Sequence, residues 1–588
     1  MKHRKKRATR TDQAGVSTAA TSISKPTQQL VWLLVAAVAA YGLYQAIALT
    51  WISDDAFISF RYARNLIDGH GLVFNAGERV EGYTNFLWTT MIAAGMLVNL
   101  EPILFSRVLS IAAYLFTAFV FVYLSIRVSR EIITSKPLII PLTATALLLQ
   151  YDFQAYATSG LETALTTALV TLGFAVLVAG NSRRSFLLAG LILTLAALTR
   201  PDAMIFCVMA VPYILLLGRP RCKNLLYYLL PLAAIYLPYW IIRYSYYGYP
   251  FPNTYYAKSA SLPYYSQGLT YLWLYVKTYY VLLLLIPAVV IVLPRLFGHF
   301  LRERHITRQD HRAWLLGVLF IVPYVFYVVR TGGDFMFARF LIPVTPICLF
   351  FMEVSLMSLR LRIFVRAGIV LLIVAGVFFR WNQFVPEKAV VHGITDERAH
   401  YPPEVIRKAE IDGEQLRRYL GDVDVTVGFY GAKAMLIYYS ELPMAIECDA
   451  GLTDTYIAHL PLARRGRPGH EKRAPYDYLL KRKVNFIFKS TLPNQDLHDQ
   501  LRAISFSGLH SYIVVYENRV MDALKAHPDV QFVDFPAFLD QYMDQIGSVP
   551  DDRLRADLHF FKTYYFDYNH DPERVAALLH KLDVKSDQ

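Results

Sequence analysis

The strongest constraint on this 588-residue chain is a succession of apolar runs separated by short blocks of arginine and lysine. A helix of about 20 apolar residues is as long as the hydrocarbon core of a bilayer is thick. A chain with many such runs cannot bury them all in water, so a polytopic helical membrane protein is expected. Composition agrees, because 55% hydrophobic and 18% charged residues is too apolar for soluble domains of this total length. The formal net charge of +13 sits in the blocks between apolar runs, which is the pattern of cytoplasmic loops and excludes a nucleic-acid partner. Cys207, Cys222, Cys348 and Cys448 are scattered and spell neither a disulfide framework nor a zinc site.

Residues 1–29 are polar and open with Lys2, Arg4, Lys5, Lys6, Arg7 and Arg10, which reads as a disordered basic cytoplasmic tail. Residues 30–50 then form a first span, putting the acidic loop 51–104 on the outer side. Residues 85–99 are apolar but short, and read as a helix lying at the membrane surface. The span at 105–126 is followed by Arg127, Arg130 and Lys136, which belong inside. Further spans are expected at 137–151, 162–180, 185–199, 203–218, 224–243, 269–294, 313–330, 339–358 and 363–379, for about eleven transmembrane helices in all. This places basic loops such as Arg183-Arg184 and Arg295–Arg312 in the cytoplasm. The composition changes near residue 380, dividing the chain into a transmembrane domain (30–380) and a soluble, extracytoplasmic α/β domain (381–588).

Asp54 and Asp55, adjacent and just past the first span, are the leading catalytic candidates. Charge at the edge of a bilayer is costly, and a carboxylate there suits a reaction between a lipid-borne and a soluble substrate, as base or nucleophile. The same pair can also cap a following helix. Arg61 and Arg64 on that helix, with Glu81 and Asn85 beyond it, are candidate substrate contacts in the same loop. A second constellation runs from Arg330 to Arg339: a glycine pair that lets backbone approach a ligand, then Asp334, then Arg339, all between two spans. Glu162, Arg200 and Asp202 stand at other outer helix ends, where helix capping is an equal reading. Asp422-Val-Asp424 imitates a metal-binding triplet but precedes a strand, and His459 and His470 lack a companion ligand at a metal-binding spacing.

Four stretches carry a resemblance: Asp54-Asp-Ala-Phe-Ile-Ser-Phe-Arg-Tyr-Ala-Arg64, Glu81-Gly-Tyr-Thr-Asn85, Gly333-Asp-Phe-Met336 and Gly451-Leu-Thr-Asp454, with Gly466-Arg-Pro-Gly-His470 in addition. They resemble the C-type (GT-C) superfamily of membrane glycosyltransferases and, within it, the mycobacterial terminal β-(1→2) arabinofuranosyltransferase family. The resemblance implies a GT-C-like transmembrane domain in the bacterial inner membrane, with the N-terminus cytoplasmic and the C-terminal domain periplasmic. It implies transfer of a pentose, D-arabinofuranose, from a polyprenyl-phosphate donor to an envelope glycan, glycolipid or glycoprotein. It also implies that Asp54 is the catalytic acid residue, with Asp55 orienting the loop or the substrate. No cofactor is called for, and a divalent cation is optional because arginines can carry phosphate charge. A β donor giving a β product would require retention, through either a protein nucleophile or same-face attack. Two alternative readings are a polyprenyl-lipid transporter or flippase, which should place ionisable groups at mid-membrane, and a lipid-linked polymer ligase, which should show essential outer Arg and His.

Overall fold

The computed structural model describes residues 25–132, 140–217, 220–303, 308–384, 389–488 and 497–586. The basic segment 1–24, read above as most of a disordered tail, lies outside the described residues. Five described helices are long and apolar enough to cross a membrane: Gln28–Ala48, Pro102–Ile132, Arg221–Tyr247, Tyr280–Gly298 and Gln309–Thr331. Shorter apolar helices, including Thr163–Ala179, Pro201–Leu216, Thr345–Met357 and Ile363–Phe378, pack among them. Leu33, Phe119, Ile242 and Val290 stand exposed on the outside of this bundle, the arrangement expected of a multi-pass protein whose outer solvent is lipid.

One expected element takes a different form. The expected span at 137–151 is not one continuous helix: Leu142–Leu148 and Tyr151–Tyr156 are separate short helices, and 133–139 lie outside the described residues. The break is held by side chains, because Gln154 donates to the Leu148 carbonyl and Gln150 to the Tyr275 hydroxyl. Phe86–Leu97 has 12 residues, a rise of about 18 Å, and so falls short of a bilayer core.

The chain beyond residue 380 begins with a strap. A hairpin of β1 (Val390–Val391) and β2 (Ile394–Thr395) leads to a short 3-10 turn, Glu397–His400, and an amphipathic helix, Pro403–Leu420. A six-stranded mixed sheet follows, built from β3 (Thr426–Phe429), β4 (Met444–Glu447), β5 (Phe486–Phe488), β6 (Ala503–Phe506), β7 (Leu509–Ile513) and β8 (Val530–Phe532). Its order is β4-β3-β5-β7-β6-β8, with β3 parallel to both neighbours and the rest antiparallel. Phe429 from β3 and Phe486 and Phe488 from β5 are buried in its core.

This C-terminal part sits directly on the first loop. Asn75 uses its side-chain amide to bond both the N–H and the C=O of Ala445, at 3.0 Å each, so the loop continues the sheet edge at β4. Arg61 donates to the carbonyls of Phe74 (2.7 Å), Ile437 (3.2 Å) and Leu442 (2.8 Å). Arg64 pairs with Glu441 at 2.9 Å and lies over the Tyr438 ring. Such contacts between main-chain carbonyls and a buried guanidinium stabilise the junction strongly, because leaving either side unpaired would incur a large desolvation penalty. The first loop and the C-terminal part therefore occupy the same face of the helical bundle.

Candidate active site

The site is built where three elements meet: the juxtamembrane helix Asp54–Ile67, the turn 332–339 between two membrane helices, and the strap. Local sequence explains the turn. Gly332 and Gly333 have φ of +91° and +71°, and a Cβ on Gly333 would lie 2.4 Å from Cγ of Tyr271, so that position admits glycine only. The Tyr271 hydroxyl accepts from the Phe340 amide and donates to the Met336 carbonyl, and Tyr156 donates to the Phe337 carbonyl. β2 closes the other side, with the Thr395 amide donating to Phe335 and the Phe337 amide donating to Thr395.

The turn so held presents Arg339 to three carboxylates. Its guanidinium lies 3.1 Å from Glu162, 3.7 Å from Asp55 and 3.8 Å from Asp334. Glu162 is further held by Arg200 at 3.3 Å and by the Asn85 side-chain amide at 3.0 Å. Arg200 makes a bidentate pair with Asp202, at 3.0 and 2.9 Å, and Tyr324 donates to the same carboxylate. This network fixes Arg339 in place, because Glu162 is oriented by two further donors. Asp334 is 2% exposed and its Oδ2 has no hydrogen-bond partner among the described residues. The Asp55 side chain is 35% exposed, which makes it the open carboxylate of the group.

Asp54 behaves differently from its neighbour. Its Oδ2 accepts from the Ala434 amide at 2.9 Å and its Oδ1 from the Met435 amide at 2.8 Å. It thus caps the helix Ala434–Ser440 of the C-terminal part rather than its own helix, on which neither Ser53 nor the aspartates form a side-chain cap. Burial pushes the Asp54 carboxyl up to about 7, against the two amides that favour its charge.

Of the other sequence candidates, Glu162, Arg200, Asp202, Asn85, Asp334 and Arg339 converge on this network. Arg61 and Arg64 do not, since their donors hold the C-terminal part. Glu81 is also elsewhere, paired with Arg243 at 2.6 Å. The Gly451–Asp454 stretch is a structural turn: the Glu447 carboxylate accepts four of the amides between Asp449 and Leu452, and Asp454 caps the next helix through the Ile457 amide.

Three groups escaped the sequence reading as site residues. Glu397, in the strap, is buried with its Oε2 unpartnered among the described residues, and burial, reinforced by Asp55, pushes it up to about 8 while Arg467 pulls the other way. Arg467 lies over the Phe335 ring and donates to the Thr395 hydroxyl. Lys258 lines a cavity of 220 Å³ together with Glu162, Arg200, Tyr255 and Arg339. Its aliphatic stem runs past Gly469, whose φ of +86° is a left-handed conformation that glycine adopts without strain. An isolated lysine in a tyrosine-rich loop was the available signal for Lys258. Nothing in the sequence singles out Glu397. Among the described residues no three His, Cys, Asp or Glu side chains converge as a metal site.

No protein-family model matches the chain. Similar proteins include the terminal β-(1→2)-arabinofuranosyltransferase of Mycobacterium tuberculosis, 30% identical over 341 residues, covering 53% of this chain and 53% of that protein. The Corynebacterium glutamicum protein of the same name is 30% identical over 371 residues, 56% of this chain and 52% of that protein. This chain resembles the terminal β-(1→2)-arabinofuranosyltransferases. The resemblance read from the motifs is thereby borne out, and the chain spans about half the length of the arabinofuranosyltransferases it matches. The crystal structure of ArnT from Cupriavidus metallidurans bound to undecaprenyl phosphate overlaps with a TM-score of 0.47 at 12% identity, over 71% of this chain and 85% of that one.

Proposed function

We propose that this chain is a GT-C-type membrane glycosyltransferase that moves a pentose, arabinofuranose, from a polyprenyl-phosphate donor to a hydroxyl of an extracytoplasmic envelope glycan, glycolipid or glycoprotein. The observation that carries the reading is Arg339, fixed by Glu162 and standing between Asp55 and Asp334 at the ends of apolar helices. The donor phosphate enters the cavity of Lys258 and Arg339, whose charges stabilise the leaving group. The sugar then lies against Asp55 and Asp334. In the transfer the bond from the anomeric carbon to the phosphate oxygen breaks, and its electron pair leaves with polyprenyl phosphate. The acceptor oxygen forms the new bond, and its proton passes to Asp55, the open carboxylate. Positive charge developing on the sugar ring is met by Asp334. Asp54 serves as a positioning residue, tying the first loop to the helix at Ala434. The N-terminus lies in the cytoplasm, and residues 51–104 and 381–588 lie outside a bacterial inner membrane.

The test is turnover by purified protein in nanodiscs, given synthetic polyprenyl-phosphate arabinofuranose and an arabinan acceptor, with product read by mass spectrometry. Lys258→Met should weaken donor binding while leaving the fold intact. Absence of donor consumption by folded protein, or consumption of a polyprenyl-phosphate hexose in its place, would refute the proposal.

A further inference from the structure

A second chamber borders the other aspartate. It has a volume of 310 Å³, and its walls come from both parts of the chain: Asp54 from the first loop, Tyr401 and Lys408 from the strap and its helix, Lys433 and Leu436 beside the capped turn, and His510 from the β6–β7 hairpin. Successive residues on a helix leave its axis about 100° apart. Asp55 accordingly reaches Arg339, while Asp54 faces this chamber.

The groups around the second chamber are of a different kind from those around Lys258. Donors and acceptors alternate: Lys433 and His510 against Asp54 and Asp412, the last of these holding Lys408 at 2.8 Å. Leu436 and Val405 supply an apolar wall between them. A phosphate would call for converging cations, whereas mixed donors and acceptors beside an apolar surface match a sugar ring, with hydroxyls at its rim and C–H bonds on its face. The position of Tyr401 is fixed by stacking on Trp51, with ring centroids 6.1 Å apart. Its phenol lies beside Glu397, which in turn faces Asp55 and Asp334.

We propose that this chamber is the acceptor pocket, holding one ring of a neutral glycan whose attacking hydroxyl passes Tyr401 toward Asp55. The inference rests on the transferase reading for the identity of the reaction, but the pocket can be tested without turnover. Full-length protein in nanodiscs is titrated with a synthetic arabinofuranose oligosaccharide and, separately, with polyprenyl phosphate. His510→Trp, which fills the mouth from an exposed strand position, and Lys433→Ala should each weaken oligosaccharide binding by about tenfold or more, with polyprenyl-phosphate affinity unchanged. Equal oligosaccharide affinity in wild type and both variants would overturn the pocket, as would preference for a phosphorylated oligosaccharide over the neutral one. Oligosaccharide binding lost in the variants, without donor consumption by wild type, would support the pocket and refute the transferase reading. Donor consumption with binding indifferent to both substitutions would do the reverse.

Discussion

Replacing Asp54 by asparagine separates its structural part from any chemical one. The wild-type carboxylate accepts two buried amides, at 2.9 and 2.8 Å. Asparagine keeps one acceptor and turns an amide donor toward the second N–H, which leaves a buried donor unsatisfied and costs about 1–3 kcal/mol. Against that stands the burial of the charge. The Asp54 carboxyl is pushed up from 3.8 to about 7, so the folded protein keeps its proton over a range where the unfolded chain has lost it. The stability it contributes is fully present below about pH 4 and is lost as pH rises through about 7, a total of about 4 kcal/mol at about 1.4 kcal/mol per pH unit. Asparagine does not titrate, and every other group is common to both proteins. Thermal unfolding of the two purified proteins should therefore show Asp54→Asn less stable at about pH 4, the gap closing or reversing by about pH 8. Turnover should fall less than in the Asp55 variant. Parallel stability curves across this range would refute the buried-cap argument, and a turnover loss in Asp54→Asn larger than in Asp55→Asn at equal stability would return the chemistry to Asp54.

Asp55→Asn keeps size and polarity but removes the base, and should lower turnover by about 10²- to 10⁴-fold with donor affinity and melting temperature little changed; normal turnover would sink the assignment. Glu397→Gln mimics the protonated acid that burial favours up to about pH 8. The variant should match wild type at about pH 4 and become progressively the more stable of the two as pH rises toward about 8, because the wild-type contribution is lost between the unfolded value near 4.5 and the folded value near 8. Unfolding midpoints measured at both ends of that range decide it. Gly333→Ala would drive a methyl group into the Tyr271 ring and strain a left-handed backbone, so a loss of about 1–3 kcal/mol in stability is expected, together with lower turnover from a displaced Arg339. Tyr271→Ala in the same background should recover part of the stability if the clash is the cause.

The sequence alone determined the parts of this protein that depend on short-range composition. An apolar run of bilayer length is a membrane helix wherever it sits, so the helical bundle and the change of character near residue 380 could be read directly. Acidic residues at a span end, and a glycine pair before Asp334, marked positions where charge and close backbone approach are expensive and therefore informative. The break at Leu149–Gln150 was not readable, because it is held by side-chain bonds of Gln154 to the Leu148 carbonyl and of Gln150 to the distant Tyr275 rather than by a glycine or proline breaker. The division of labour between Asp54 and Asp55 belongs to tertiary structure as well. The two are chemically identical neighbours, and what separates them is the rotation between successive helical residues and the amides of Ala434 and Met435, some 380 residues away in sequence. Arg61 and Arg64 are candidate substrate contacts by sequence, but the fold turns them toward the carbonyls of Phe74, Ile437, Leu442 and Tyr438. Glu397 shows the same limit: its proton affinity comes from burial beside Asp55, and desolvation is a property of the packed fold that no single position in the chain records.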